Sequence, residues 1–210
     1  MSEEYKIIDM KNWKRAMHCM VFRNGIQPQY CVSFELDITN FLKKIKEHNY
    51  SFTFAVVYAA SKCANEIEEF RYRFKDENVV LYNKIDTAFT YMNNETELFK
   101  VVNVEMKDSM EDYVKLASET VKNQKEYFTG APANNVFQFS SMPWIPYTHI
   151  SHTCSGKKDN AIPLFDFGKF FERDSKIILP FSVQVHHSFV DGIHIGKFYE
   201  SLQKYLNDFE

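Results

Sequence analysis

The spacing of apolar and polar residues divides the chain into strand-like and helix-like segments. Residues 31–38 (CVSFELDI) alternate with a period of two, which predicts a strand. Residues 54–68 instead place apolar side chains three and four positions apart, which predicts a buried helix. Residues 41–48, 107–127 and roughly 192–207 have the helical period with one polar face. This mixture predicts an α/β or α+β fold with a mixed sheet.

The remaining segments are predicted to be strands joined by turns. Residues 4–10 predict a short strand, and residues 71–93 predict a hairpin followed by another strand, with KDEN at the turn. Further strand candidates follow towards the C-terminus: VFQFSSM (136–142), PYTHISHTC (146–154), AIPLFDFGKFF (161–171) and KIILPFSVQVHH (176–187). No repeat, low-complexity segment or Gly/Ser-rich linker interrupts the pattern, so we expect a single domain over residues 1–210.

Composition and net charge argue against several classes of partner and site. With 45% hydrophobic and 25% charged residues, the chain can bury a sizeable core. The net charge of −3 and the lack of a basic tract argue against nucleic acid. The N-terminus is polar and the longest apolar run, FTFAVVYAA, is too short to cross a bilayer, so we expect a cytoplasmic protein without a membrane partner. Its four scattered cysteines include no CxxC pair, so we expect no disulfide framework and no metal.

The stretch VQVHHSFVDGIHIG (183–196) places two adjacent histidines at the end of the last predicted strand. Alternation puts His187 on the apolar face and His186 on the polar face. Partial desolvation disfavours the imidazolium form of a histidine, and neutral imidazole can take a proton from an alcohol. The plain alternative is a core histidine, with Asp191 only capping the next helix. Ser140 lies at another strand end. Two roles are open for its hydroxyl, which are donation of a hydrogen bond to an oxyanion and a local bond to its own backbone.

The segment HHSFVDG (186–192) resembles the HHxxxDG motif of the chloramphenicol acetyltransferase family, trimeric type A. The same motif occurs in acyltransferase cores of 2-oxo acid dehydrogenases and in condensation domains of peptide synthetases. Other blocks are similar to the first family, in its order and nearly its spacing: KNWKR (11–15), LDITNFLK (36–43), EEFRYRF (68–74), NETELF (94–99), FSSMPW (139–144), PLFDFGKF (163–170) and LPFSVQVHHSFVDGIH (179–194). The resemblance implies a two-layer sandwich in which helices pack on a mixed β-sheet.

The resemblance also implies catalytic roles. His187 would act as general base, removing the proton of an acceptor hydroxyl while its oxygen attacks the thioester of acetyl-CoA, with no acyl-enzyme. Ser140 would donate a hydrogen bond to the tetrahedral oxyanion. Asp191 would pair with Arg15 and hold the histidine loop in place. Three positions match residues that lie beside coenzyme A: Lys169, Phe170 and Trp144.

The resemblance implies an acceptor pocket of ten residues: Phe22, Ile26, Tyr30, Phe99, Val101, Phe137, Ile150, His152, Cys154 and Asp166. Three of them depart from the family pattern, because His152 replaces an aliphatic residue, Asp166 a threonine and Ile150 an aromatic. A carboxylate near an oxyanion is unfavourable unless it is protonated or paired. We therefore expect His152 to pair with Asp166.

We expect an antibiotic-resistance type of enzyme, an acetyl-CoA-dependent O-acetyltransferase with chloramphenicol as the reference acceptor. The resemblance implies a homotrimer in which His187 of one subunit faces an acceptor pocket formed mostly by the neighbour. Three alternatives remain. The acceptor is a different, more polar small alcohol, the protein binds small molecules without catalysis, or the chain is the core of a larger complex. The last is disfavoured because no lipoyl or carrier domain precedes the motif.

Overall fold

Helices and strands follow one another along the chain largely as the periodicity predicts. The computed structural model describes residues 4–130, 133–152, 157 and 159–210. Its helices are α1 (Ala16–Arg23), α2 (Thr39–Glu47), α3 (Phe52–Asn65), α4 (Met110–Asn123) and α5 (Gly192–Asp208). Its strands are β1 (Tyr5–Ile7), β2 (Gln29–Asp37), β3 (Tyr72–Lys75), β4 (Asn78–Tyr82), β5 (Asp86–Asn93), β6 (Leu98–Val104), β7 (Val136–Met142), β8 (Leu164–Gly168), β9 (Phe171–Arg173) and β10 (Lys176–His186).

The strands form two sheets. The larger has seven strands in the order β2-β10-β8-β7-β5-β6, with β9 also paired to β10. Strand β7 runs parallel to β5 and β8, whereas the other pairs are antiparallel, so this sheet is mixed. The smaller sheet contains β1, β4 and β3. Helices α2 to α5 contact the large sheet from one side, which confirms the predicted layers of helices on a mixed sheet.

Phenylalanines fill the space between these two layers. Phe165 in the middle of β8 is fully buried and stacks on Phe139 with ring centres 4.9 Å apart. Its other neighbours include Phe198 of α5 at 5.4 Å. Alternate residues of each strand point to this side, since successive side chains of a strand point to opposite faces. The aromatic-rich composition therefore serves the core.

The opposite face of the large sheet carries polar side chains. Strand register aligns four of them in one row across neighbouring strands: Ser140, Asp166, Ser182 and Ser33. The segment 143–152 lies against this face. Tyr147 donates a hydrogen bond to the carbonyl of Asp166 (2.8 Å), and the carbonyl of Ile150 accepts one from the Cys31 thiol (3.0 Å). This is the face that forms the pocket described below.

Three local predictions differ from the structure. The predicted strand 146–154 forms no strand in its described part, 146–152. It bonds to side chains of β2 and β10 as well as to backbone, as in the bond from the His152 amide to Gln184 Oε1 (3.2 Å). Helix α1 and strand β6 were not predicted. Among the described residues, no helix is long and apolar enough to cross a membrane.

Candidate active site

The two adjacent histidines differ in how deeply they are buried. Strand β10 ends at His186, and the amides of Phe189 and Val190 both bond to its carbonyl, so the chain turns there and the alternation of faces stops. His186 is 2% exposed and its ring lies against Phe74 and Phe189. His187, one residue beyond the strand, keeps 36% of its side chain exposed. The histidine proposed as the base is therefore the accessible one.

Aromatic rings fix the orientation of His187. Its imidazole stacks on Phe22 of α1, with ring centres 3.8 Å apart and planes 6° from parallel. Tyr30 lies 4.7 Å away on β2 and donates its hydroxyl proton to the carbonyl of Val190 (3.2 Å). Nδ1 of His187 is 3.0 Å from Asp191 Oδ1, yet it has no hydrogen bond of proper geometry within the described residues. Asp191 thus acts on this ring through its charge.

Arg15 ties this loop together and is itself 11% exposed. Its guanidinium binds both carboxylate oxygens of Asp191, at 2.5 and 2.6 Å. The same group donates to the carbonyls of Ser188 (2.8 Å) and His187 (3.0 Å). This is the pairing that the resemblance implied. The Arg15 guanidinium also lowers the pKa of Asp191, so the carboxylate stays charged.

A second histidine supports the loop from the helix side, and sequence reasoning missed it. His194 in the first turn of α5 accepts the backbone N–H of Asp191 at Nδ1 (2.9 Å). Its Nε2 lies 3.4 Å from the carboxylate of Glu69. Burial lowers the pKa of His194, which favours the neutral ring that can accept at Nδ1. The available signal was its position three residues after a helix cap, where side chains reach back to the cap.

A cavity of about 460 Å³ lies on the polar side of the sheet. Its walls come from β5, β6, β7, the start of β8 and the segment after β7: Ala88, Phe89, Thr90, Met92, Phe99, Val101, Gln138, Phe139, Ser140, Ser141, Met142, Pro143, Trp144, His152 and Leu164. This set includes five of the predicted site residues: Ser140, Phe99, Val101, Trp144 and His152. Gln138 was missed, although period-two alternation places it on the same face as Ser140. No hydrogen bond joins the Ser140 hydroxyl to another described residue, so it is free to donate to a ligand.

His187 and Ser140 lie far apart within one chain. Ser140 is level with Asp166, and Asp166 is level with Ser182, so Ser140 lies two strands from β10. His187 is five residues beyond Ser182 along the chain. With strands about 4.8 Å apart and a rise of about 3.3 Å per residue, the two Cα atoms are about 19 Å apart. A base and an oxyanion donor must both reach one reacting group, about 3 Å from each.

The predicted pairing of His152 with Asp166 is present beside the cavity. His152 Nε2 lies 2.6 Å from Asp166 Oδ1, and the Asp166 side chain is only 2% exposed. The hydrogen bond with Asp166 raises the pKa of His152. Burial raises the pKa of Asp166, against the opposing effect of His152. Both groups therefore bind a proton more readily than in water.

The other predicted site residues fall into three groups. Phe22 and Tyr30 surround His187, while Ile26, in the loop between them, is fully exposed. Lys169 and Phe170 are exposed beside the segment that carries Trp144, since the amide of Lys169 bonds to the carbonyl of Ile145 (3.0 Å). Ile150 is half-buried on the polar face, and Cys154 lies outside the described residues.

The structure corrects the prediction for Phe137. This side chain is fully buried and contacts Phe165 and the guanidinium of Arg73. Phe137 and Ser140 are three residues apart on one strand, so their side chains point to opposite faces. Phe137 therefore belongs to the core and does not line the cavity.

The described residues do not suggest thiol or metal chemistry. Burial raises the pKa of Cys31 to about 11 and that of Cys63 to about 11, so both remain protonated and weakly nucleophilic. Within the part of the chain that the structure describes, no three His, Cys, Asp or Glu residues come close enough to hold a metal ion. A proton-transfer site built on His187 is the arrangement that the geometry supports.

Comparisons with known proteins give consistent relatives. A family model described as "Chloramphenicol acetyltransferase" matches residues 3–203. "Chloramphenicol acetyltransferase 2" of Haemophilus influenzae is 31% identical over 200 residues, covering 93% of this chain and 94% of its own. A solved "chloramphenicol acetyltransferase" superposes with a TM-score of 0.89 at 27% identity, covering 97% of this chain and 100% of that one. A probable dihydrolipoamide acetyltransferase from Listeria monocytogenes, at 14% identity and TM-score 0.66, covers 98% of this chain and 95% of its own and shares the fold.

Proposed function

Because this chain belongs to the chloramphenicol acetyltransferase family, we propose that it is an acetyl-CoA-dependent O-acetyltransferase with chloramphenicol as its reference acceptor. The observation that carries this proposal is the His187 loop. Arg15 binds Asp191 and two loop carbonyls, and Phe22 holds the His187 ring in a half-exposed position. A protein that only binds small molecules has no need of such a fixed, accessible imidazole.

In this mechanism His187 takes the proton of the acceptor hydroxyl as the oxygen attacks the acetyl carbonyl carbon. Acetyl-CoA supplies the acetyl group as a thioester when it is bound. Ser140 donates a hydrogen bond to the oxygen that becomes negative. His187 then returns the proton to the departing sulfur, so the base is regenerated. General-base assistance of this kind is worth about 10²–10⁴-fold in rate.

We also propose that each active site lies between two copies in a homotrimer. The support is the separation of about 19 Å between His187 and Ser140 that the strand register gives. His187 of one copy would face the cavity of its neighbour. Lys169, Phe170 and Trp144, grouped at the ends of β7 and β8, would contact coenzyme A. A cytoplasmic location would fit the use of this co-substrate.

The test follows thiol release from acetyl-CoA with a colorimetric thiol reagent in the presence of chloramphenicol. We expect release by the unaltered protein and its loss in His187→Ala, with fold and acetyl-CoA binding retained. His18→Ala, which removes an exposed histidine of α1, is the matched control and should keep full activity. Activity in His187→Ala would contradict the base assignment. Release only with another alcohol would keep the mechanism and change the acceptor.

A further inference from the structure

One pair of ionisable side chains, His152 and Asp166, lies beside the cavity. The two side chains are buried to different depths. Asp166 is 2% exposed, whereas His152 keeps 27% of its side chain exposed and lines the cavity. Asp166 therefore lies behind His152, and a ligand meets the imidazole rather than the carboxylate.

His152 is the main counter-charge of this carboxylate. Asp166 Oδ1 bonds to His152, and Oδ2 is buried without a hydrogen-bond partner among the described residues. The two atoms are 2.6 Å apart, which is the distance of a direct hydrogen bond. Other ionisable groups nearby are Tyr147, bonded to the Asp166 carbonyl, and Cys31, and both stay protonated because burial raises their pKa values.

This pairing fixes the chemistry that His152 shows to the cavity. Nε2 is occupied by Asp166, so Nδ1 is the ring nitrogen that remains for a ligand. In the charged form Nδ1 is an N–H donor. A hydrogen bond in which one partner is charged is stronger than a neutral one, and it is stronger still towards an anion.

The other residues that line the cavity differ from His152 in their charge. Apart from His152, none of the described residues that line it is ionisable, and most are apolar or aromatic. A ligand with a cationic group would lose its hydration and meet a like charge. A ligand with a carboxylate or nitro group would meet a donor of opposite charge at that point.

We propose that His152, held by Asp166, selects acceptor alcohols that carry an anionic or strongly hydrogen-bond-accepting group, and rejects cationic ones. The inference rests on the proposed function, because it takes this cavity as the acceptor site. It names the substrate class of that site, and binding tests it without turnover.

The experiment measures binding of three alcohols of matched shape by calorimetry at pH 7: 4-(hydroxymethyl)benzoate, 4-nitrobenzyl alcohol and 4-(aminomethyl)benzyl alcohol. We expect the benzoate to bind roughly tenfold or more tightly than the amine, with the nitro compound between them. The double variant His152→Leu/Asp166→Thr removes both charges, so no unpaired buried carboxylate remains. In it the ratio should fall to about one or two.

Two further variants separate charge from shape. Asp166→Asn keeps the side-chain size and removes the counter-charge of His152, so the preference for the benzoate should weaken. His149→Leu is the matched control, because His149 is an exposed histidine of the same segment bonded to Ser33. It should keep the full preference.

Several outcomes would overturn this selection mechanism. Equal binding of the benzoate and the amine by the unaltered protein would contradict it, as would a preference that survives in the double variant. Failure of all three alcohols to bind would exclude the cavity as an acceptor site of this class. Failure of the proposed function is a different result, namely no acetylation of any alcohol while the three affinities still differ.

Discussion

The loop that carries His187 and the cavity that contains Ser140 are built in opposite ways. In the loop, the hydrogen-bonding groups of Arg15 and Asp191 are used within the chain, and aromatic rings fix the imidazole. In the cavity, the Ser140 hydroxyl has no partner among the described residues, and the walls are mostly apolar. A base must point in one direction, whereas an oxyanion donor must keep its hydrogen bond for the ligand. Under the proposed mechanism, each region is suited to its half of the reaction.

The two carboxylates of these regions differ in the same way. Asp191 bonds to Arg15, which lowers its pKa and keeps it charged. Asp166 is paired with a histidine and buried, and burial raises its pKa. An arginine pair is a permanent charge, while a histidine can gain or lose its proton. The first is suited to holding a loop and the second to responding to a ligand.

Subunit complementation tests the separation of the two regions with the largest expected effect. His187→Ala and Ser140→Ala proteins should each be nearly inactive. If they are unfolded together and refolded as a mixture, some sites combine an intact His187 with a neighbour's intact Ser140. Random assembly of such sites should restore about a quarter of the unaltered activity. Thiol release before and after mixing measures this directly.

The control for complementation is each variant refolded alone, which should stay inactive. A mixture that also stays inactive, although gel filtration shows normal assembly, would mean that both residues serve a site within one chain. The arrangement with sites between subunits would then be wrong. The base and oxyanion roles would still stand, because the single variants would remain inactive.

Ser140→Ala alone should lower kcat by about 10²–10³-fold with little change in KM, because one oxyanion donor is removed. Ser141→Ala is its matched control. Ser141 is the next residue of β7 and also borders the cavity, but alternation directs its hydroxyl away from the side that Ser140 faces, so this variant should lose much less activity. Steady-state kinetics with chloramphenicol measures both. A similar loss in the two variants would indicate a general effect on β7 rather than loss of a donor.

Arg15→Ala should lower both stability and rate, because it removes four hydrogen bonds that hold the His187 loop. The pair is partly buried, so we expect a loss of about 2–4 kcal/mol in the free energy of unfolding. Urea unfolding and thiol release measure the two effects. Arg15→Lys should recover only part of them, since lysine cannot bind a carboxylate with two parallel bonds.

Arg173→Ala is the control for this effect. Arg173 also binds a carboxylate, that of Glu35, but both side chains are about half exposed. Exposed ion pairs contribute little to stability. Loss of rate without loss of stability in Arg15→Ala would contradict a structural role for the Arg15–Asp191 pair.

Much of this organisation followed from the sequence. Periodicity located the long helices because each has one apolar face, and the HHxxxDG resemblance led to the pairing of Arg15 with Asp191. Periodicity failed to predict α1, because its eight residues are too few to show a clear period. Periodicity also failed for residues 146–154. Their alternation was taken to indicate a strand, but the described part, 146–152, bonds to side chains of the polar face.

The errors at the site have similar causes. The burial of His186 depended on contacts with Phe74 and Phe189 that periodicity does not show. Phe137 is excluded by its complete burial in the core, which the sequence does not show. The separation of His187 from Ser140 could not be predicted, because it depends on which strands pair and in what register.

The smallest predicted effect separates the two carboxylates by pH. The folded-state pKa of Asp191 is lowered, so its stabilisation is present above the unfolded pKa of about 3.9 and is lost as the pH falls below it. Asp166 has the opposite sign, because a raised folded-state pKa makes the folded protein lose stability as the pH rises through it. Urea unfolding of the unaltered protein, Asp191→Asn and Asp166→Asn from pH 3 to 6, at one protein concentration, measures both.

The expected curves differ in direction. The stability advantage of the unaltered protein over Asp191→Asn should shrink as the pH falls below about 4. The stability of the unaltered protein relative to Asp166→Asn should fall as the pH rises above about 4, since the buried Asp166 carboxyl group then loses its proton. If both differences have the same slope, Asp166 is held charged as firmly as Asp191. The contrast between a permanent and a titrating pair would then be wrong, whereas the charged His152 that the proposed ligand selection requires would be supported.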